Sequence, residues 1–381
     1  MELTTNERRL SLGAVMLHML GIGMTLGLTF PLTSLTMEAW GSSGWVIGLS
    51  GAMAPLAILL FMPVLPHVAK RLGAIRAMMV GCAIGIGGLL IMYAIQSVPV
   101  WIVARFIIGA GLALPWLVGD IWINTAAKEE SRGRVIAGYV ACLFTGFSVG
   151  PLVLDAVGIE GFMPFALGCS ALALAVLPLV MVGRFAPPIE AEAGSGILSA
   201  ARAVPVMAVG AFLAGFTEAL IFSLLTIWGL DIGLDETGTL RLLTTCVVGG
   251  VLLQFGAGLL ADRVGRQRLL GLIGLVLIAV AILLHVATGL VIYLAAFMTG
   301  GLILALYGLS LTLLGERFPP AKLAVASAAF LVLYQLGSII GPVVAGLAMD
   351  GVGPLGFILS LLIPGAIIAA VAFTARTPKE V

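Results

Sequence analysis

Four ionisable side chains stand inside long apolar stretches of the chain: His18, Arg105, Asp120 and Glu218. If those stretches cross a membrane, each charge costs about 2.5–3.5 kcal/mol at the bilayer centre, so such residues are rare and usually functional. An imidazole or a carboxyl group can exchange a proton, and a guanidinium can bind an anionic group. The four residues therefore indicate proton transfer or solute binding inside apolar helices.

The composition shows that membrane-spanning helices must hold these residues. Of 381 residues, 61% are hydrophobic and 10% are charged, and the mean hydropathy is +1.20. Soluble domains have about 45–50% apolar and 25% charged residues, so a soluble enzyme, a disordered protein and a coiled coil are excluded. Continuous apolar runs favour helices over a membrane barrel. A net charge of +1 does not favour nucleic-acid binding.

Length and hydropathy predict twelve spans of about 20 or more residues, in two sets of six. The polar stretch 185–202 is a cytoplasmic linker between an N-terminal six-helix bundle, 1–184, and a C-terminal one, 203–381. The predicted spans are 11–37, 44–68, 76–96, 99–125, 135–156, 161–183, 204–230, 239–260, 269–287, 290–314, 323–348 and 354–374.

The distribution of Lys and Arg predicts the orientation. With the N-terminus in the cytoplasm, all of the 19 basic residues except Arg105 and Arg241 fall in cytoplasmic segments. We therefore expect both termini to be cytoplasmic.

The two halves repeat each other in the same orientation. The segment KRLGAIR at 70–76 corresponds to DRVGRQR at 262–268, which lies 192 positions later. Gly150-Pro151 recurs 191 positions later as Gly341-Pro342. Because both halves begin on the same side, the repeat predicts a pseudo-two-fold axis along the membrane normal.

Three segments carry a family resemblance. GLLADRVGRQR at 258–268 resembles the GxLaDRxGRrx loop signature of the major facilitator superfamily (MFS). RFIIGAG at 105–111 is similar to that family's fourth-helix motif, RxxxGxG. GFSVGP at 146–151 resembles in part the fifth-helix motif of drug/proton antiporters, although the Gly pair after the Pro is missing. The whole chain resembles compact twelve-helix bacterial members of the drug-efflux-like kind.

The resemblance implies an all-α membrane protein of two pseudo-symmetric six-helix bundles that works by alternating access. It also implies a cytoplasmic latch in the repeated loops, although these charges could instead only set the topology. The latch candidates are Lys70, Arg71, Gly73, Arg76, Gly258, Asp262, Arg263, Gly265 and Arg266. Gly150, Pro151, Gly341 and Pro342 are hinge candidates, because Pro removes a backbone hydrogen bond.

In the family, helices one, four, seven and ten line the cavity, and the four ionisable residues fall on three of these helices. Helical geometry places Arg105, Leu112, Trp116 and Asp120 on one face over roughly 22 Å. Other polar or aromatic side chains are candidates for the substrate cavity. The cavity candidates are Thr25, Thr29, Trp116, Phe222, Tyr307, Ser310, Tyr334 and Gln335.

Each ionisable residue keeps more than one interpretation. Glu218 is the leading site for proton coupling or for a substrate cation, or it is only hydrogen-bonded to a neighbouring helix. Asp120 either couples protons or pairs with Arg132, Arg134 or Arg71 at an inner gate.

Arg105 and His18 also have two interpretations each. The family motif suggests that Arg105 transfers protons or binds an anionic group, and a structural bond to helix ends is the alternative. His18 is a proton switch or a hydrogen-bonded core residue.

The sequence therefore predicts a secondary active transporter, not an enzyme, because it contains no catalytic motif and no P-loop. We expect proton-coupled movement of a small organic solute across a bacterial inner membrane, with efflux slightly favoured. Proton-coupled uptake of a small, possibly anionic, metabolite and facilitated uniport are the alternatives. No metal or cofactor is expected; the proton gradient is the energy source, membrane lipid surrounds the protein, and it acts as a monomer.

Overall fold

A computed structural model describes residues 4–128, 131–189, 204–317 and 320–375. These ranges form helices and contain no strand. Twelve of the helices are long and apolar enough to cross a membrane, which confirms the predicted number of spans. The helices are α1 (Thr5–Ala39), α2 (Gly44–Phe61), α3 (Leu65–Leu72), α4 (Ala74–Ala94), α5 (Val98–Ala126), α6 (Arg132–Val157), α7 (Met163–Met181), α8 (Pro205–Asp231), α9 (Glu236–Val264), α10 (Arg266–Val286), α11 (Leu290–Arg317), α12 (Pro320–Val352) and α13 (Pro354–Thr374).

The second predicted span, 44–68, is shorter in the structure. The helix α2 ends at Phe61, and the short helix α3 begins at Leu65. Pro63 follows the end of α2 and Pro66 lies in the first turn of α3. A proline has no N–H to donate and clashes with the preceding turn, so the chain breaks the helix there.

The repeated loops fold alike in the two halves. Gly73 separates α3 from α4 with a φ of 77°, and Gly265 separates α9 from α10 with a φ of 90°. Both values lie in the left-handed region, which glycine adopts without the steric cost that a Cβ would add. The glycine of the repeated segment is therefore needed for the turn itself.

The contacts divide the chain into two compact units. The first contains residues 1–33 and 56–193, and the second contains residues 34–55 and 194–381. The end of α1 and most of α2 therefore belong to the second unit by their contacts, whereas the sequence places them in the N-terminal bundle.

Equivalent helix pairs pack through glycines in each unit. In the first unit, Gly23 of α1 lies against the Leu143 carbonyl of α6. In the second unit, Gly215 of α8 lies against the Tyr334 carbonyl of α12. Small residues let two membrane helices approach until their backbones touch. Most of the 50 glycines need no ligand to explain them, and these two positions hold the helices that carry the candidate site.

Candidate functional site

Glu218 lies in the middle of α8 and is half-buried in the second unit. Its carboxyl group shares a hydrogen bond with the side chain of Tyr334 from α12. The ring of Tyr307 from α11 meets the Tyr334 ring edge to face, with 5.2 Å between centroids. Phe330 extends this aromatic cluster at 5.4 Å from Tyr307. The carboxyl group thus has the phenol of Tyr334 as a hydrogen-bond partner, and the rings of Tyr307 and Phe330 extend from that phenol.

Close helix packing holds Tyr334 in place. Gly215 precedes Glu218 by three residues, so the two lie on neighbouring positions of one helix face. The Ser338 hydroxyl donates to the Tyr334 carbonyl at 2.9 Å. An ideal Cβ on Gly215 would lie 2.8 Å from the Ser338 hydroxyl oxygen. The glycine therefore lets α8 and α12 approach closely enough for the Glu218–Tyr334 hydrogen bond.

The other cavity candidates of this unit are largely buried. Phe222, Ser310 and Gln335 all lie in its interior. The Ser310 hydroxyl has no hydrogen-bond partner among the described residues and lies against Gly210 of α8. Tyr307 and Tyr334 are half-buried, as Glu218 is, so these cavity candidates are partly accessible to solvent.

Arg105 is sealed inside the first unit, with 1% of its surface exposed. Its guanidinium carbon lies 4.2 Å from the centre of the Phe30 ring of α1. None of its three side-chain nitrogens has a hydrogen-bond partner in the described part of the chain. Stacking on an aromatic face attracts a guanidinium, yet it satisfies none of its five N–H donors.

Asp120 is exposed on α5 and accepts a hydrogen bond from the Tyr139 hydroxyl of α6 at 2.9 Å. Tyr139 itself is buried. Gly119 makes room for this contact, since a Cβ there would lie 2.7 Å from the Tyr139 hydroxyl oxygen. The partner that the structure gives Asp120 is thus a phenol, and its pairing with the basic residues of an inner gate stays a prediction.

His18 is fully buried, and its Nδ1 donates to the Ala175 carbonyl of α7 at 2.9 Å. This geometry favours the hydrogen-bonded core interpretation of His18. The predicted cavity residues Thr25 and Thr29 are also fully buried. The Thr25 hydroxyl donates to the Gly21 and Gly168 carbonyls, and Thr29 donates to the Thr25 carbonyl. These hydroxyls serve helix packing in this structure.

The predicted face of α5 changes character along its length. Arg105 and Leu112 are buried, whereas Trp116 is 37% exposed and Asp120 is exposed as well. Pro115 lies inside the helix between the buried and the exposed part. The face therefore leaves the core of the first unit in its second half.

Most of the latch candidates lie at or between the ends of α3, α4, α9 and α10, whereas Gly258 lies inside α9. Lys70, Arg71, Arg76 and Arg263 are exposed. The side chain of Asp262 lies outside the described residues. The latch itself stays a prediction.

The hinge candidates lie in tight helix contacts. Gly150 lies against the backbone of α1 at Leu28, and Gly341 lies against the Phe216 carbonyl of α8. Pro151 and Pro342 are both inside continuous helices. The structure gives these glycines a packing role, and bending at them stays a prediction.

Sequence reasoning missed two partners, Phe30 and Tyr139. Each lies in a different helix from the residue it contacts, so no spacing along one helix could reveal the pair. Tyr139 is one of only five tyrosines, and a phenol in an apolar helix needs a hydrogen-bond partner. That requirement was the available signal. Within the described ranges, no group of three His, Cys, Asp or Glu residues is placed to hold a metal ion.

Twelve apolar spans, duplicated turns and ionisable groups set among aromatic side chains define a multi-pass membrane transporter. A family model described as Major Facilitator Superfamily matches residues 12–205 and 207–381. The chain belongs to this superfamily, whose members are transporters and not enzymes. It therefore moves a solute across a membrane by alternating access.

Among the proteins similar to this chain are curated transporters from Bacillus subtilis and Escherichia coli. It is 26% identical over 340 residues to the uncharacterized MFS-type transporter YfkF of Bacillus subtilis (strain 168), covering 86% of each chain. It is 25% identical over 293 residues to the uncharacterized MFS-type transporter YcaD of Escherichia coli (strain SMS-3-5 / SECEC), covering 74% of each.

The solved structures share the fold. The nucleoside transporter NupG matches with a TM-score of 0.74 at 15% identity, over 97% of this chain and 98% of that one. A bacterial homolog of the human lysosomal transporter Spinster, in an inward-facing and unoccupied conformation, matches with a TM-score of 0.76 at 14% identity, over 97% and 96%.

Proposed function

We propose that this transporter couples the movement of a small organic solute to protons, with Glu218 as the group that gains and loses the proton. The observation that carries the proposal is the Glu218–Tyr334 hydrogen bond in the middle of a membrane span. A phenol can donate to an ionised carboxylate and equally to the carbonyl oxygen of the protonated acid. The contact therefore survives protonation, which an ion pair with Lys or Arg would not.

The half-buried position of Glu218 also supports this role. A proton carrier must reach water or solute in at least one state of the cycle, and a half-buried carboxyl group is already partly accessible in this one. Efflux is slightly favoured over uptake because of the resemblance to drug-efflux-like members. We further propose that the protein acts as a monomer in a bacterial inner membrane with both termini in the cytoplasm. The bias of Lys and Arg supports this orientation.

The repeated basic loops complete the proposal. Arg71 and Arg263 end helices at equivalent positions, where they can donate to unpaired carbonyls at helix C-termini. We place the cytoplasmic latch there.

Uptake of a small anionic metabolite is the second candidate, and Arg105 favours it. A buried guanidinium without a hydrogen-bond partner among the described residues would gain most from an anionic solute. With 1% of its surface exposed, Arg105 would have to become accessible in another state of the cycle. Facilitated uniport is the third candidate and gives Glu218 no role.

The test begins with a solute library. Thermal unfolding of the purified protein is measured with each solute at pH 6 and pH 8, because a ligand of the folded state raises its stability by about 2.7 kcal/mol at 100 Kd. A hit is then added to the protein in weak buffer with a pH indicator. Proton coupling predicts that binding changes the number of bound protons in the wild type and not in Glu218→Gln.

Tyr334→Phe is the matched control, because it keeps the aromatic ring and the titratable acid and removes only the hydroxyl. It should still exchange a proton when the solute binds. Proton exchange that persists in full in Glu218→Gln would refute the assignment. Solute binding with no proton exchange in the wild type would favour uniport.

A further inference from the structure

The segment Ser34–Pro55, here called the tip hairpin, comprises the end of α1, the following turn and most of α2. Its contacts lie in the second unit, although the residues on both sides of it belong to the first. Pro31 lies inside α1 just before the hairpin, and Pro55 lies inside α2 at its end. A proline inside a helix removes a backbone hydrogen bond and permits a bend. The helices can therefore bend at both ends of the tip hairpin.

Asp350 holds the tip hairpin by its backbone. The first N–H groups of a helix have no partner within that helix. At the start of α2, the Gly44 N–H donates to Asp350 Oδ1 at 2.6 Å and the Trp45 N–H donates to Asp350 Oδ2 at 2.9 Å. Asp350 lies near the end of α12, so it caps a helix more than 300 residues away in the sequence. A carboxylate is also favoured there by the helix dipole.

The other contacts of the tip hairpin use small groups. The Ser34 hydroxyl donates to the Ser223 carbonyl of α8 at 2.7 Å. A Cβ on Gly44 would lie 2.9 Å from the Gly346 carbonyl oxygen of α12, and one on Gly48 would overlap the Pro342 carbonyl. Here α2 lies directly on the backbone of α12. Separating the tip hairpin from α8 and α12 would break the Asp350 hydrogen bonds and the Ser34 hydrogen bond together.

We infer that Asp350 is a positioning residue of the transport cycle. It fixes the tip hairpin to the second unit in the state seen here, and its hydrogen bonds break when the hairpin leaves with the rest of α1 and α2. Alternating access requires a contact that forms in one state and is lost in another. Two hydrogen bonds to a helix terminus suit that purpose, because water can replace them when they break.

The test measures how often the tip hairpin separates. Ser50 is fully buried in α2 and lies within the hairpin. Ser50→Cys is placed in a chain whose cysteines Cys82, Cys142, Cys169 and Cys246 are replaced, and labelling by a small charged thiol reagent is followed in lipid nanodiscs. When opening is fast, the labelling rate reports the open fraction. Asp350→Ala removes the cap and should raise the rate by about two- to thirty-fold.

Asp235→Ala is the matched control. Asp235 Oδ1 accepts from the Gly238 N–H at 2.8 Å, so it caps its own helix, α9, in the same unit. Its removal costs a comparable hydrogen bond and should leave the labelling rate of Ser50→Cys unchanged. An unchanged rate in a folded Asp350→Ala protein would overturn the inference. Equal acceleration by both variants would overturn it too, because it would mean general loosening.

A second pair of variants covers the case in which Asp350→Ala does not fold. Asp350→Asn keeps the shape and loses one of the two acceptor oxygens. In the same cysteine-replaced chain, Ser50→Cys should be labelled faster with Asp350→Asn than with Asp350 intact, and Asp235→Asn should leave the rate unchanged. Equal rates would contradict the role of Asp350. Neither measurement uses a solute or a proton gradient, so both stand apart from the proton coupling proposed for Glu218.

Discussion

The close contact between α8 and α12 predicts that a larger residue at Gly215 lowers the stability of the second unit. Gly215→Ala adds a Cβ that would lie 2.9 Å from the Tyr334 carbonyl carbon and 2.8 Å from the Ser338 hydroxyl oxygen. Carbon atoms in good contact lie about 3.5–4.0 Å apart, so the helices must separate by at least about 0.6 Å. Overpacking of this kind typically costs about 1–3 kcal/mol. The second unit should therefore lose that much stability in Gly215→Ala.

Gly308→Ala is the control variant, for which we expect no loss of stability. Gly308 lies inside α11 of the same unit, and a Cβ there would meet nothing within 4 Å. Alanine in a helix interior is favoured over glycine by roughly 0.5–1 kcal/mol. Gly308→Ala should therefore be as stable as the wild type or slightly more stable. The two variants add the same methyl group, so only its surroundings distinguish them.

Thermal unfolding followed by tryptophan fluorescence checks both variants. Trp228 is buried in α8 and supplies part of the signal from this unit; Trp101, Trp116 and Trp122 of the first unit are replaced by Phe in both variants and in the reference protein. For about 150–250 residues, 1 kcal/mol shifts Tm by about 2–4 °C, so Gly215→Ala should lower it by roughly 2–12 °C. The same separation should weaken the Glu218–Tyr334 hydrogen bond. If Gly215→Ala melts at or above the temperature of Gly308→Ala, the reasoning about backbone contact is wrong.

Three further predictions follow from the first unit. Arg105→Met keeps the side-chain volume and removes a buried cation that lacks a hydrogen-bond partner among the described residues. Thermal stability should therefore stay equal or rise, while solute transport falls. A clear loss of Tm would show that the cation is paired. His18→Leu removes the hydrogen bond from Nδ1 to the Ala175 carbonyl and should lower stability by about 0.5–1.5 kcal/mol, and unchanged unfolding would contradict the core role of His18. Tyr139→Phe should lower stability by about 0.5–1.5 kcal/mol, and its effect should vanish in an Asp120→Ala background when a double-mutant cycle is measured.

The spans were predictable because burial in lipid imposes length and apolar composition on every helix. The exception at 44–68 is instructive, since hydropathy continues past Phe61 and only Pro63 and Pro66 stop the helix. A hydropathy average does not count missing N–H donors. The glycine of each repeated loop was predictable for a related reason, because a left-handed turn at Gly73 or Gly265 is a local demand.

The candidate site was predictable in part. Glu218 and Tyr334 were both candidates from the sequence, but their hydrogen bond joins two helices through residues that lie more than 100 positions apart in the chain. Thr25 and Thr29 share a helix face with His18, as the spacing indicates, yet that face is packed against α7 and its hydroxyls bind backbone carbonyls. Helical periodicity gives the face of a residue. Which face meets a cavity and which meets another helix depends on the tertiary packing.

Three of the ionisable groups inside the spans share one kind of partner. Arg105 stacks on Phe30, Asp120 accepts from Tyr139, and Glu218 bonds to Tyr334. An ion pair in a low-dielectric interior is lost at high cost when either partner changes its charge or moves away. A neutral aromatic partner makes a weaker contact that tolerates both changes. A carrier whose helices must exchange neighbours in every cycle therefore benefits from phenols and phenyl rings beside the charges inside its spans, and that arrangement is the physical reason to look for coupling at Glu218.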